Sequence, residues 1–153
     1  MEATKLGPYQ RGAVSVIKEF RGFNVLVSGC SSGNIAFWDI IKRDVLTSFT
    51  ALGNITSGDL SQNDQILIVG SSLGVIRVYN IANIRKPVLQ RVIKLFKNKP
   101  INNITINPNQ TLIAVSSIES PKVYFLALST LTIVGYVELP VTVNAIAWNT
   151  SSK

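Results

Sequence analysis

The chain has 153 residues, 46% of them hydrophobic and 15% charged, with a formal charge of +7 and no histidine. That composition excludes a disordered or solvating segment, and no apolar run reaches the roughly 18 residues that a membrane-spanning helix needs. The missing histidine removes Ser-His-Asp and Cys-His nucleophile pairs, His-based metal sites and imidazole acid–base chemistry together.

The opening, Met1 to Gln10, is polar, contains Pro8, and lacks the apolar stretch of a signal peptide. A single cysteine, Cys30, has no partner for an internal disulfide, which fits a reducing compartment. Both features predict a soluble, intracellular, cytoplasmic protein. One cysteine without histidine leaves no zinc site, neither phosphate-cradling glycine motif is present, and no cofactor is expected.

From Ala13 onward the chain repeats itself. Val25-Leu26-Val27-Ser28-Gly29 matches Ile66-Leu67-Ile68-Val69-Gly70, then Gly33 matches Gly74, and Ile35 to Ile40 matches Ile76 to Ile81, all at an offset of 41. A third copy follows at an offset of 46, with Leu112 to Ser116 and then Val123-Tyr124-Phe125. Val143 to Asn149 echoes Ile101 to Asn107 and begins a fourth.

Each copy predicts four short strands, rich in branched and aromatic residues and separated by Gly, Asn, Asp, Ser or Pro. The first copy gives Ala13–Lys18, Asn24–Gly29, Asn34–Ile40 and Asp44–Thr50; the second Ile55–Leu60, Gln65–Val69, Val75–Ile81 and Val88–Phe96. The third gives Asn103–Ile106, Thr111–Ser116, Lys122–Leu128 and Thr132–Glu138, and Val143–Asn149 is one strand more. Short connections suit antiparallel hairpins. The second strand of each copy is apolar throughout (Val25 to Val27, Ile66 to Val69, Leu112 to Val115), which means burial on both faces. A sheet with one wet face alternates instead.

Leu26 to Ile40, ending on Trp38-Asp39, resembles the second-to-third-strand segment of a WD40 repeat, with Gly29 and Gly33 in the turn. Ser61 to Gly70 and Asn107 to Ser116 resemble the family's turn before the second strand. The resemblance implies an all-β fold of WD40-type β-propeller blades, each of four antiparallel strands. Tyr79 and Phe125 stand where tryptophan would be, and without histidine the family's His–Asp–Ser/Thr–Trp network does not form as such; Asp64, Ser28 and Trp38 keep fragments of it. The expected division is a lead-in (1–11), blade 1 (12–53), blade 2 (54–100), blade 3 (101–142) and the first strand of a further blade (143–153). A closed propeller takes about four to eight blades, so the ring is incomplete. The rest of a longer chain, or a second chain, is expected to complete it.

Gly29-Cys30-Ser31-Ser32-Gly33 and Gly70-Ser71-Ser72-Leu73-Gly74 both match G-x-S-x-G, but each leads into a strand and lacks a histidine partner. They predict tight turns needing glycine rather than nucleophile elbows. Cys30 has no cationic neighbour in sequence to activate it. Trp38, Tyr79 and Trp148, at repeat-matched positions, predict packing between blades ahead of partner anchoring. The carboxylates Asp59, Asp64, Glu119 and Glu138 are scattered over different blades, so an enzyme is the last reading.

Between Gln65 and Ile118 there is no acidic residue but seven basic ones, Arg77, Arg85, Lys86, Arg91, Lys94, Lys97 and Lys99, while the other eight basic residues balance the eight acidic ones. Six of the seven fall between Arg85 and Lys99, on the outermost strand of blade 2 and its flanking turns. These are the candidate partner-binding residues. A basic rim suits a protein partner, RNA or another polyanion, and an anionic membrane surface more weakly; edge lysines also discourage strand addition. The leading expectation, implied by the resemblance, is a non-enzymatic scaffold that grips a protein within a larger complex across Cys30–Gly33, Ser71–Gly74, Lys97–Pro100 and Ser117–Pro121. The alternative is an RNA-associated propeller using the basic rim of blade 2.

Overall fold

The computed structural model describes residues 13–20, 24–51 and 53–149; the lead-in over 1–11 and the residues 150–153 lie outside them. Among the described residues there are twelve strands and no helix. The first sheet holds β1 (Val14–Phe20), β2 (Val25–Cys30), β3 (Asn34–Asp39) and β4 (Asp44–Thr50). The second holds β5 (Ser57–Leu60), β6 (Ile66–Gly70), β7 (Val75–Asn80) and β8 (Val88–Lys94). The third holds β9 (Asn103–Ile106), β10 (Leu112–Ser116), β11 (Lys122–Ala127) and β12 (Thr132–Glu138). Every strand pairs antiparallel with its sequence neighbour, as hairpin connections of a few residues require.

The core lies between the sheets. Along β6, Leu67 and Val69 face the first sheet and pack with Val27, Ile35, Phe37 and Tyr79. The intervening Ile68 faces the third sheet and packs with Ile76, Val78, Ile104, Ile113 and Val115. Successive side chains of a strand point to opposite faces, so an unbroken apolar run is what a strand between two neighbours demands. Aromatic contacts cross the same seams. Phe49 of β4 meets Tyr79 of β7 edge-on at 5.3 Å, and Phe96 meets Tyr124 of β11 at 5.2 Å.

The linkers between sheets belong to this core. Ile55 and Ile101 are both fully buried, and each lies over a glycine, Gly29 next to the end of β2 and Gly70 at the end of β6. A Cβ on Gly29 would sit 3.1 Å from Cγ2 of Ile55, and a Cβ on Gly70 would sit 2.7 Å from Cγ2 of Ile101 and 2.8 Å from its Cβ. The expected strand Ile55–Leu60 therefore begins only at Ser57, because Ile55 donates its N–H to the carbonyl of Cys30. At the other end, β8 stops at Lys94, since Leu95 and Phe96 both donate to the carbonyl of Gly74. Gly74 holds φ +81° there, and a Cβ on it would overlap the carbonyl of Phe96.

Two further expectations change. Val143–Asn149 forms no strand. It lies beside β9, anchored by Asn103 Nδ2 donating to the Asn144 carbonyl (3.0 Å) and Trp148 Nε1 donating to the Thr105 carbonyl (3.1 Å). Val143 is buried against Ala114 and Val123, with Phe125, Ile146 and Trp148 around it. Side chains hold the segment against the third sheet, but among the described residues no strand pairs with it edge to edge to build a ladder.

The second change concerns Phe125. Each sheet has a bulge between its third and fourth strands, at Phe37/Trp38, Val78/Tyr79 and Phe125/Leu126. Trp38 pairs with Leu26, Tyr79 with Leu67 and Leu126 with Ile113. Leu126, not Phe125, thus occupies the tryptophan position, because the turn before β11 is one residue longer. A slip of one residue reverses the face of a side chain, and Phe125 accordingly joins Trp148 on the open side of the third sheet, with ring centroids 6.2 Å apart.

The first strands of the three sheets are stitched through one carboxylate. Asp59 on β5 accepts from the N–H of Ile106 on β9 (2.8 Å) and from that of Leu60 (2.9 Å), and lies 3.6 Å from Lys18 Nζ on β1. Lys18 is 43% exposed and Asp59 17%, so water screens the ion pair far more than the hydrogen bonds.

Two predictions follow from these contacts. Gly70→Ala should lower the urea midpoint by the equivalent of about 1–3 kcal/mol, the usual cost of overpacking. Gly29→Ala, facing movable side-chain ends at 3.1 and 3.2 Å, should cost clearly less; equal losses would show that the linker isoleucines do not set the spacing of the sheets. Asp59→Ala should cost about 1–3 kcal/mol by leaving backbone donors without their acceptor. Lys18→Ala should cost less than about 1 kcal/mol, and a loss matching that of Asp59→Ala would put the weight on the ion pair instead.

Candidate functional site

Antiparallel order sends the turns to two ends of the sheets. One end gathers the turns 30–33, 71–74 and 117–121 together with the linkers 53–56 and 95–102. The turns are closed by backbone hydrogen bonds from Gly33 to Cys30, Gly74 to Ser71 and Ser120 to Ser117. Both G-x-S-x-G matches therefore lie in strand-to-strand turns. Cys30 is buried, with Sγ 2.9 Å from Ser32 Oγ.

Linker asparagines latch these turns together. Asn54 Oδ1 accepts from Ser72, through both its N–H (3.2 Å) and its hydroxyl (2.9 Å). Asn102 Oδ1 accepts from the N–H of Ile118 (3.1 Å). Hydroxyls on the first strands and the linker residue before β5 add a second set: Ser15 donates to the Ile55 carbonyl (2.5 Å), and Thr56 (2.5 Å) and Ser57 (2.8 Å) donate to that of Ile101. The turn face is thus one preorganised surface across three sheets. The sequence does not single out these asparagines, because an isolated linker Asn carries no pattern that marks it as a latch.

The repeat positions Gly29, Gly33, Trp38, Gly70, Gly74 and Tyr79 all lie in buried surroundings. Trp38 is 4% exposed and its Nε1 donates to Ser28 Oγ at 2.8 Å. Asp39 ends β3, and its Oδ1 accepts from the N–H groups of Ile41 and Lys42, shaping the next turn.

The six candidate basic residues, all exposed, do not form one cluster. Arg85 and Lys86 occupy the β7–β8 turn, at the opposite end of the sheet from the turn face. Arg91 pairs with Val78 and Lys94 with Val75, placing them on opposite sides of β8. Lys97 and Lys99 lie on the linker at the turn face, separated from Arg85 and Lys86 by the seven residues of β8, some 20 Å of strand. Among the described residues Lys18 pairs with Asp59, and no described carboxylate pairs with Lys94, Lys97 or Lys99.

No family model matches the chain, and no curated protein sequence matches it. Solved structures do. The β-propeller domain of Myceliophteria thermophila Cps50 (Swd1) superposes with a TM-score of 0.78 at 19% identity, over 90% of this chain and 47% of that one. A chain from the crystal structure of a mitotic checkpoint complex superposes with a TM-score of 0.71 at 16% identity, over 84% of this chain and 39% of that one. The chain spans less than half the length of either. Three four-stranded antiparallel sheets, with first strand beside first strand and packed face to face, make it an unclosed run of blades with the β-propeller fold.

Proposed function

We propose that the chain is a non-enzymatic scaffold that holds a protein partner within a larger complex on its turn face. The observation that carries this reading is the convergence of Cys30–Gly33, Ser71–Gly74, Lys97–Pro100 and Ser117–Pro121 on one end of the sheets, tied together through Asn54 and Asn102. A surface ordered before binding loses little entropy on association. Lys97 and Lys99 give that surface a positive edge suited to an acidic partner. One of the two structural neighbours comes from a protein complex, which supports protein binding as the class of function. Neither neighbour supports an RNA partner.

The test is charge reversal. Lys97→Glu combined with Lys99→Glu should lower recovery of a co-purifying partner severalfold, while the unfolding midpoint stays within about 0.5 kcal/mol of wild type, as for other surface substitutions. Unchanged recovery would sink the reading. Loss of a bound RNA with a steep salt dependence would replace the protein partner by a nucleic acid.

A further inference from the structure

Resting on the scaffold reading, we propose that blade 2 carries a docking groove for an acidic peptide segment of a partner protein, anchored by one large apolar side chain. The groove is a cleft of about 460 Å³ at the turn face, lined by Leu73, Val75, Leu95 and Phe96, with Lys94 and Lys97 at its edge. Its volume lies in the range of small-ligand clefts, and it is open on one side, as a groove that seats a peptide side chain is.

The fold does not require this lining. Equivalent positions are set by one repeated hydrogen bond, from the N–H of Ala51 to the Gly33 carbonyl, of Leu95 to Gly74 and of Leu139 to Pro121. Leu73 and Val75 then match Ser32 and Asn34 in blade 1, and Ser120 and Lys122 in blade 3. Only blade 2 is apolar at both places. Leu73 is 60% exposed, and its turn is closed by Gly74 donating to Ser71 and by Ser71 Oγ accepting from Leu73 and Val75, none of which uses the Leu73 side chain. An exposed leucine on a turn otherwise built of small residues contributes nothing to that turn.

The floor is rigid and the edge is charged. Phe96 is 6% exposed and wedged edge-on against Tyr124, so an apolar side chain entering over it meets a preformed surface. Asn98 holds φ +54°, which bends the linker and sets Lys97 and Lys99 on either side of the bend. No acidic residue occurs between Gln65 and Ile118, and the nearest one after that stretch, Glu119, lies on the turn of blade 3. Carboxylates flanking the anchor therefore meet Lys94 and Lys97, and a basic peptide is repelled. The same features disfavour a nucleic acid, whose bases stack on exposed aromatic faces, whereas Phe96 is buried.

The test is fluorescence anisotropy on the 153-residue chain. The probe is a short labelled peptide with leucine at its centre and Asp or Glu on both sides. Replacing the central leucine by alanine should weaken binding about tenfold, from the lost apolar burial. Lys94→Glu with Lys97→Glu should weaken it about tenfold or more, through like-charge repulsion. Leu73→Ser, which installs the residue that blade 1 carries there, should weaken it about fivefold with the unfolding midpoint unchanged. Equal binding of the alanine peptide, or no effect of Leu73→Ser, would overturn the groove. So would tighter binding of a uridine oligonucleotide, or of phosphatidylserine vesicles, with the same dependence on Lys94 and Lys97. If Leu73→Ser is silent while charge reversal at Lys97 and Lys99 still abolishes partner capture, the groove falls and the scaffold stands. If capture survives both, both fall.

Discussion

The fold depends on how closely neighbouring sheets approach at Gly29 and Gly70, near the ends of β2 and β6. Gly29 and Gly70 leave room for Ile55 and Ile101 to descend onto the sheet from the linker above. That contact seals the top of each inter-sheet core and fixes where the next first strand starts. Below it, β6 buries alternate residues against opposite neighbours, so no sheet has a wet face between its partners. Each sheet is a layer in a stack rather than a domain with its own core, which is how repeat architectures distribute stability between neighbours.

The polar contacts follow from that packing. First strands brought side by side place Ser15, Thr56 and Ser57 under the carbonyls of the next linker, and leave Asp59 reaching both ways, to Lys18 and to Ile106. Asn54 and Asn102 extend the stitching onto the turn face. Ser116, at the position of Gly29 and Gly70, is a departure: its hydroxyl is buried without a hydrogen-bond partner among the described residues, a disfavoured arrangement. It occurs on the one sheet whose outer neighbour is an irregular segment rather than another blade.

The candidate site grows from the same repetition. Blades that share a backbone differ at the tips of their turns, where side chains are free of the core. Ser32, Leu73 and Ser120 occupy one geometric position with three different surroundings, and the chemistry of the turn face lies in those differences. Charge follows the same rule in part: the six basic residues from Arg85 to Lys99 sit on the outermost strand of blade 2, its β7–β8 turn and the following linker, outside the apolar seams, whereas Arg77 lies partly buried on β7.

The sequence by itself determined the strands, their order and their double-sided burial. An apolar run bounded by turn residues, repeated in register, has few other ways to fold. It also showed where the positive charge accumulates along the chain. Only the tertiary structure decided the rest. Phe125 and Leu126 exchange roles because one added turn residue shifts the register, which aligning the strands by similarity does not reveal. Val143–Asn149 has the pattern of an inner strand but forms no ladder, because strand structure needs a partner and pattern alone supplies none. Arg85 and Lys99 are near in sequence but stand at opposite ends of β8, whereas Asn54 and Ser72 are distant in sequence and bonded. Sequence records the period of a chain; which surfaces meet depends on the packing between repeats, and that belongs to no single segment.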